Sequence, residues 1–99
     1  MGNWEVIWIA TLEISPKISR KISQKHNVEI SLIRELLICN AEVKGRKIHD
    51  KVHGSRYQVY VPTRDDRLLE AHLDLINKNY SAWSVRTARF IAQIPRIGR

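Results

Sequence analysis

The spacing of apolar residues changes once along this chain, separating a helical first part from a sheet-forming second part. The opening run at 4–13, "WEVIWIATLE", is rich in β-branched and aromatic residues on both alternating sets of positions, which predicts a strand covered on both faces. Ser15-Pro16 then reads as an N-cap followed by proline at the first helical position, where the missing N–H costs no hydrogen bond. Ile14, Ile18 and Ile22 recur every four residues and give the helix an apolar stripe. Asn27 is the predicted stop, because asparagine tolerates left-handed backbone. The pattern resumes over 29–39, where Ile30, Ile33, Leu36 and Leu37 share one face and Cys39 is expected to be a buried helix residue.

After a polar run at 40–47, read as a loop around Gly45, the period becomes two. A weaker strand is expected from about Arg46 to Val52. Tyr57, Val59 and Val61 share one face of 55–63, and "RDDR" at 64–67 reads as a turn. Over 68–76, Leu69, Ala71, Leu73 and Leu75 face one way, while Glu70, His72 and Asp74 face the other. After the turn "NKNYS", a third strand at 82–91 has Trp83 and Val85 on its inner face. Short turns between alternating strands imply an antiparallel meander. The expected architecture is a small α+β domain over 1–99, with N-terminal helices packed on a twisted antiparallel sheet and a short irregular tail from about 92.

Composition narrows the function classes. A chain of 99 residues with 43% hydrophobic content supports one small core. No apolar run is long enough for a bilayer, and 4–14 carries Glu5 and Glu13 without a basic leader, so it is not read as a signal peptide. The single cysteine cannot form an internal disulfide, which suits a reducing compartment and a cytoplasmic location. The net charge is +7, and the basic residues are spread from Lys17 to Arg99. That pattern points to a polyanionic partner, either nucleic acid or an acidic protein, met by the surface of a folded body.

Which basic residues would act? Lys25 lies three positions after Ile22 and returns to the isoleucine stripe. It is either a helix-end lysine whose stem lies along apolar surface, or a positioned lysine for phosphate contact or proton transfer. His26 divides the same way. In the sheet, Arg56 opens a strand beside His53-Gly54, and Arg86 and Arg89 flank Thr87-Ala88. Strict alternation puts Arg86 opposite Trp83 and Val85, and Arg89 on the Trp83 side. Strand arginines are usually solvated. Several on one curved sheet, near a helical lysine, would form a concave phosphate-binding surface able to stabilise charge on phosphorus oxygens. His53 and Tyr57 are candidate proton donors and RNA contacts. His49 and His53 lack a third convincing metal ligand, and no glycine-rich loop cradles a nucleotide, so neither metal nor cofactor is expected.

"KISQKHNVEISLIRELL" resembles the BrnT-type toxins of bacterial type II toxin–antitoxin systems, in which a helix ends in Lys-His-Gly-Val and an acidic-apolar helix follows. "HGSRYQVYVPTRDDRLLEAHLDLI" and "WSVRTARFI" are similar to that family's hairpin and its final strand with Ala-Arg. The resemblance covers about 15–91, with Asn27 in place of the usual glycine and Glu29 in place of a small polar residue. It implies a RelE-like ribonuclease fold and metal-independent RNA cleavage. It also implies a cognate antitoxin that neutralises the toxin and represses the operon by binding operator DNA. Carried over by motif, Lys25, His26, Arg56 and Arg89 would be catalytic, with Arg86 an added phosphate contact. Two other readings fit the charge: a nucleic-acid-binding module without catalysis, and a basic interaction protein for an acidic partner.

Overall fold

The Ser15 hydroxyl accepts a hydrogen bond from the Ile18 N–H at 3.2 Å, and helix α1, Pro16–His26, starts there with proline in its first turn. It stops at Asn27, whose φ of 53° and ψ of 42° are the left-handed cap expected from its side chain. Helix α2 spans Ile30–Leu37. The computed structural model describes residues 4–52 and 54–92; His53 and the predicted tail beyond 92 lie outside the described residues.

Cys39 departs from expectation: it is exposed, beyond the helix, with a positive φ of 52°. The Asn40 amide donates to Leu36 O at 2.7 Å, satisfying a helix-end carbonyl, and the Cys39 N–H donates to Ile9 O at 2.8 Å. These bonds end α2 early and tie its exit to the N-terminal segment.

The strands are β1 Glu5–Val6, β2 Thr11–Glu13, β3 Lys44–Asp50, β4 Gly54–Pro62, β5 Leu68–Asn77 and β6 Ala82–Ile91. Their order in the sheet is β1-β3-β4-β5-β6-β2. The expected meander is present as antiparallel β3 to β6. The single strand predicted over 4–13 is instead broken across the two sheet edges: β1 pairs antiparallel with β3, and β2 pairs parallel with β6. Only residues 7–10 separate those halves. The five Cα steps from Val6 to Thr11 reach at most about 18 Å, less than the width of a flat six-stranded sheet, so the sheet must curl. Backbone bonds from Ile7 N to Val43 O and from Ala10 N to Ser81 O, both 2.9 Å, hold the crossing segment to each side.

The segment is also not covered on both faces as expected. Ile7, Ile9 and Leu12 are buried, whereas Trp4, Val6 and Trp8 point outward and are exposed, so only one face is covered. Strand β3 begins at Lys44, inside the run read as a loop. Gly45 is the reason the segment lies so close: a Cβ there would meet Gln58 O at 2.7 Å and Ile7 Cγ1 at 3.0 Å.

One face of the sheet builds the core. Ile22 of α1 and Ile33 and Leu37 of α2 pack with Val59, Val61, Leu69, Ala71, Leu73, Val85 and Ala88. The other face is left outside the helical layer. Leu75, predicted inward, lies at the end of β5 and is exposed. Among the described residues no helix is long and apolar enough to cross a membrane.

Candidate functional site on the outer sheet face

The site is set by strand alternation. Opposite the buried Ala71 and Leu73, β5 carries Glu70, His72 and Asp74. On β4 the same face carries Arg56, Gln58 and Tyr60, because Tyr57, Val59 and Val61 point to the core. Arg46 of β3 pairs with Gln58 and joins them.

Strand β6 supplies two arginines by an irregular route. Its register against β5 slips between His72 and Leu73: Thr87 faces His72, Val85 faces Leu73, and Arg86 is the extra residue. The bulge reverses the alternation beyond it. Arg89 therefore lies on the outer face opposite Glu70, and not on the Trp83 side as strict period two predicts.

The side chains are cross-linked. Glu70 accepts from the Tyr60 hydroxyl at 2.6 Å and from Arg89 Nε at 2.7 Å. Arg56 Nε donates to His72 Nδ1 at 3.1 Å. Arg46 donates to Gln58 Oε1 at 3.3 and 3.4 Å, and its guanidinium lies 4.7 Å from the centre of the Trp4 ring. Trp4 in turn meets Tyr60 edge-on at 5.4 Å. Arg86 Nε pairs with Asp74 at 2.5 Å.

Electrostatics gives the two central groups opposite roles. Burial opposes ionisation of Glu70, but hydrogen bonds from Tyr60 and Arg89 outweigh it and hold its carboxyl below the usual range. Its own burial first, and then the contact with Glu70, push the Tyr60 phenol well above its ordinary value. His72 is pushed down, first by burial and then by Arg56, Arg89 and Arg86, against the attraction of Glu70. Bonding agrees with this direction. An arginine Nε always carries its hydrogen, so the Nδ1 it donates to must present a lone pair. Nδ1 therefore carries no proton, and the Nε2 lies 3.5 Å from Gln58 Nε2 and 3.9 Å from Glu70 Oε1.

The structure brings together Arg56, Arg86 and Arg89 and places Lys25 and His26 elsewhere. The helix-end pair closes α1, which packs on the core face through Ile22, so the sheet separates it from the outer-face arginines. Lys25 is exposed and His26 half-buried. Tyr57 turns inward, its ring edge-on to Trp83 at 4.9 Å. The candidate donor His53 lies outside the described residues.

Sequence reasoning did not select Glu70, His72, Tyr60, Gln58 or Arg46. A signal was present: Glu70-Ala71-His72 places an acid and an imidazole on the polar face of a strand whose other face is wholly apolar. Compared with models of protein families, with curated proteins and with solved structures, the chain matches none.

Proposed function

We propose that this chain binds RNA on the outer face of its sheet and cleaves it without metal, as an endoribonuclease of the toxin–antitoxin kind. The observation that carries the reading is the placement of a neutral His72 and an ionised Glu70 between Arg56 and Arg89 on a face the helices do not cover. The arginines supply what a dianionic phosphorane-like transition state needs, and the histidine supplies a group able to move a proton near neutral pH. The 2′-hydroxyl gives its proton to solvent as its oxygen attacks phosphorus, and the bond to the 5′ oxygen breaks as that oxygen takes up a proton, leaving a 2′,3′-cyclic phosphate and a 5′-hydroxyl. Trp4, exposed beside Arg46, offers a ring on which an unpaired base would stack.

The toxin assignment, the RelE/BrnT-like fold and the cytoplasmic location rest on the order of the sequence motifs and on the net charge of +7. The same reading supplies an antitoxin that covers the basic surface and binds operator DNA. A binding module without cleavage is the second reading. It is favoured by one observation: Arg86 and Arg89 are each ion-paired within the sheet, to Asp74 and Glu70, as positioning groups would be.

The test uses purified, partner-free protein, a defined RNA and excess EDTA, with Arg56→Ala and Lys25→Ala beside the wild type. Cuts with cyclic-phosphate ends, lost with Arg56→Ala and kept with Lys25→Ala, are expected. Loss with Lys25→Ala alone would move the chemistry to the helix end. Intact RNA that binds at low salt would leave a binding module. No cut and no binding would leave only the protein partner.

A further inference from the structure

We propose that Arg56 and His72 form one proton-linked phosphodiester site: a backbone phosphate that engages the Arg56 guanidinium releases the His72 imidazole, which then takes up a proton. The inference rests on the outer-face reading above and assigns the proton donor which that reading leaves open.

The bond between the two residues decides where His72 can hold a proton. Arg56 Nε donates to His72 Nδ1 at 3.1 Å, so while this bond stands Nδ1 cannot carry a proton. A neutral imidazole is a modest acceptor for a guanidinium. A phosphate is a better one, because the hydrogen bonds are charge-assisted and two form side by side. An anion seated on this face therefore competes for the edge of Arg56 that now serves His72.

The charged neighbours set the balance. Facing His72 are Arg56 and Gln58 from β4, Glu70 and Asp74 from its own strand, and Arg86 and Arg89 from β6; Arg46 of β3 reaches it through Gln58. The three arginines disfavour a fourth cation among them, and Glu70 favours one. A phosphate monoanion adds the missing negative charge. It reverses the balance even where Arg56 keeps part of its contact with His72. The imidazole remains reachable, since its side chain is 19% exposed against 5% for Glu70.

The consequence for cleavage follows. The proton taken from solvent makes His72 an imidazolium beside the bound phosphate. When the bond from phosphorus to the 5′ oxygen breaks, that proton passes to the leaving oxygen and His72 returns to its neutral form. Substrate thus loads the acid that its own cleavage consumes.

The experiment follows the imidazole nitrogens of the whole chain by long-range proton–nitrogen NMR across pH 5 to 8, alone and with a 2′-O-methyl RNA oligomer, which cannot cleave itself. His72 is identified by the signals missing in His72→Gln. In the isolated protein His72 should titrate below an ordinary histidine. With the oligomer its midpoint should rise by about one unit, which makes binding about tenfold tighter at the acid end of the range. In Arg56→Lys, where the Nε–H contact is gone, the midpoint of the isolated protein should already be raised. An oligomer that binds while the His72 midpoint stays fixed or falls overturns the coupling and leaves the RNA-binding reading standing. An oligomer that does not bind at any pH overturns both.

Discussion

Two basic regions of this molecule carry similar residues and are held in opposite ways. At the end of α1, Lys25 is exposed and His26 is half-buried, and their position follows from helix geometry alone. On the outer sheet face, Arg56, Arg86 and Arg89 come from two strands and are fixed by His72, Asp74 and Glu70. The first region is charge in solvent, whose removal leaves nothing stranded. The second is a network in which each member satisfies another, so removing one exposes its partner. Residue type alone does not separate a helix end from a site; the difference lies in what a side chain must satisfy.

The largest effect expected on this comparison comes from Glu70→Ala. Glu70 is buried and accepts from both Tyr60 and Arg89, so its loss strands a buried hydroxyl and an arginine. A cost of about 2–3 kcal/mol is expected, chiefly from the stranded Tyr60 hydroxyl since Arg89 is half exposed, read as a lower urea midpoint at unchanged m. Glu70→Gln keeps an acceptor and should cost less. Equal and small losses in both variants would mean that the outer face is as loosely held as the helix end. Tyr60→Phe comes next: it removes one hydrogen bond to a charged group and should cost about 1.5–3 kcal/mol in the same assay.

These residues were harder to find in the sequence than the helices were. Ser15-Pro16 and Asn27 announce α1 because capping is local chemistry, decided within a few residues. The strands from Gly54 to Ile91 are legible because one face of each is almost wholly apolar. What was not legible depends on pairing between distant segments. The bulge at Arg86 moves Arg89 to the other face, and only the register against β5 reveals it. The division of 4–13 between two sheet edges follows from closure of the whole sheet, not from its own alternation. The Glu70–Tyr60–Arg89 network likewise needs three strands in register before any member has a partner.

Acid should act on the sheet face first. His72 titrates below its unfolded value, so the unfolded chain binds that proton more readily; stability is full above about pH 6.5 and falls as pH drops through the folded value. Glu70 is also depressed, and its contribution, full above about pH 4.3, is lost as pH falls through its own lower folded value. Denaturation midpoints from pH 7.5 to 3 should therefore fall in two stages. In His72→Gln the upper stage should shrink. If it stays whole, the proton belongs to another histidine, and the contrast between the two regions loses its central residue.

The smallest effect is expected at the helix end, and it sharpens the comparison most cheaply. Lys25 lies in the last turn of α1, where a cation meets the negative end of the helix dipole. Lys25→Ala should lower stability by only about 0.3–0.5 kcal/mol at low ionic strength, since the site is exposed. Salt separates this from the sheet face. Exposed charge interactions are screened within about 3 Å at 1 M salt, so the cost of Lys25→Ala should vanish there. The cost of Glu70→Ala should largely persist, because Glu70 and the Tyr60 hydroxyl it accepts from are buried away from the screening ions. A Lys25→Ala loss that survives 1 M salt would show a helix end tied into the fold by packing of the lysine stem. The two regions would then differ in degree, and Lys25 would regain its claim to a positioned role.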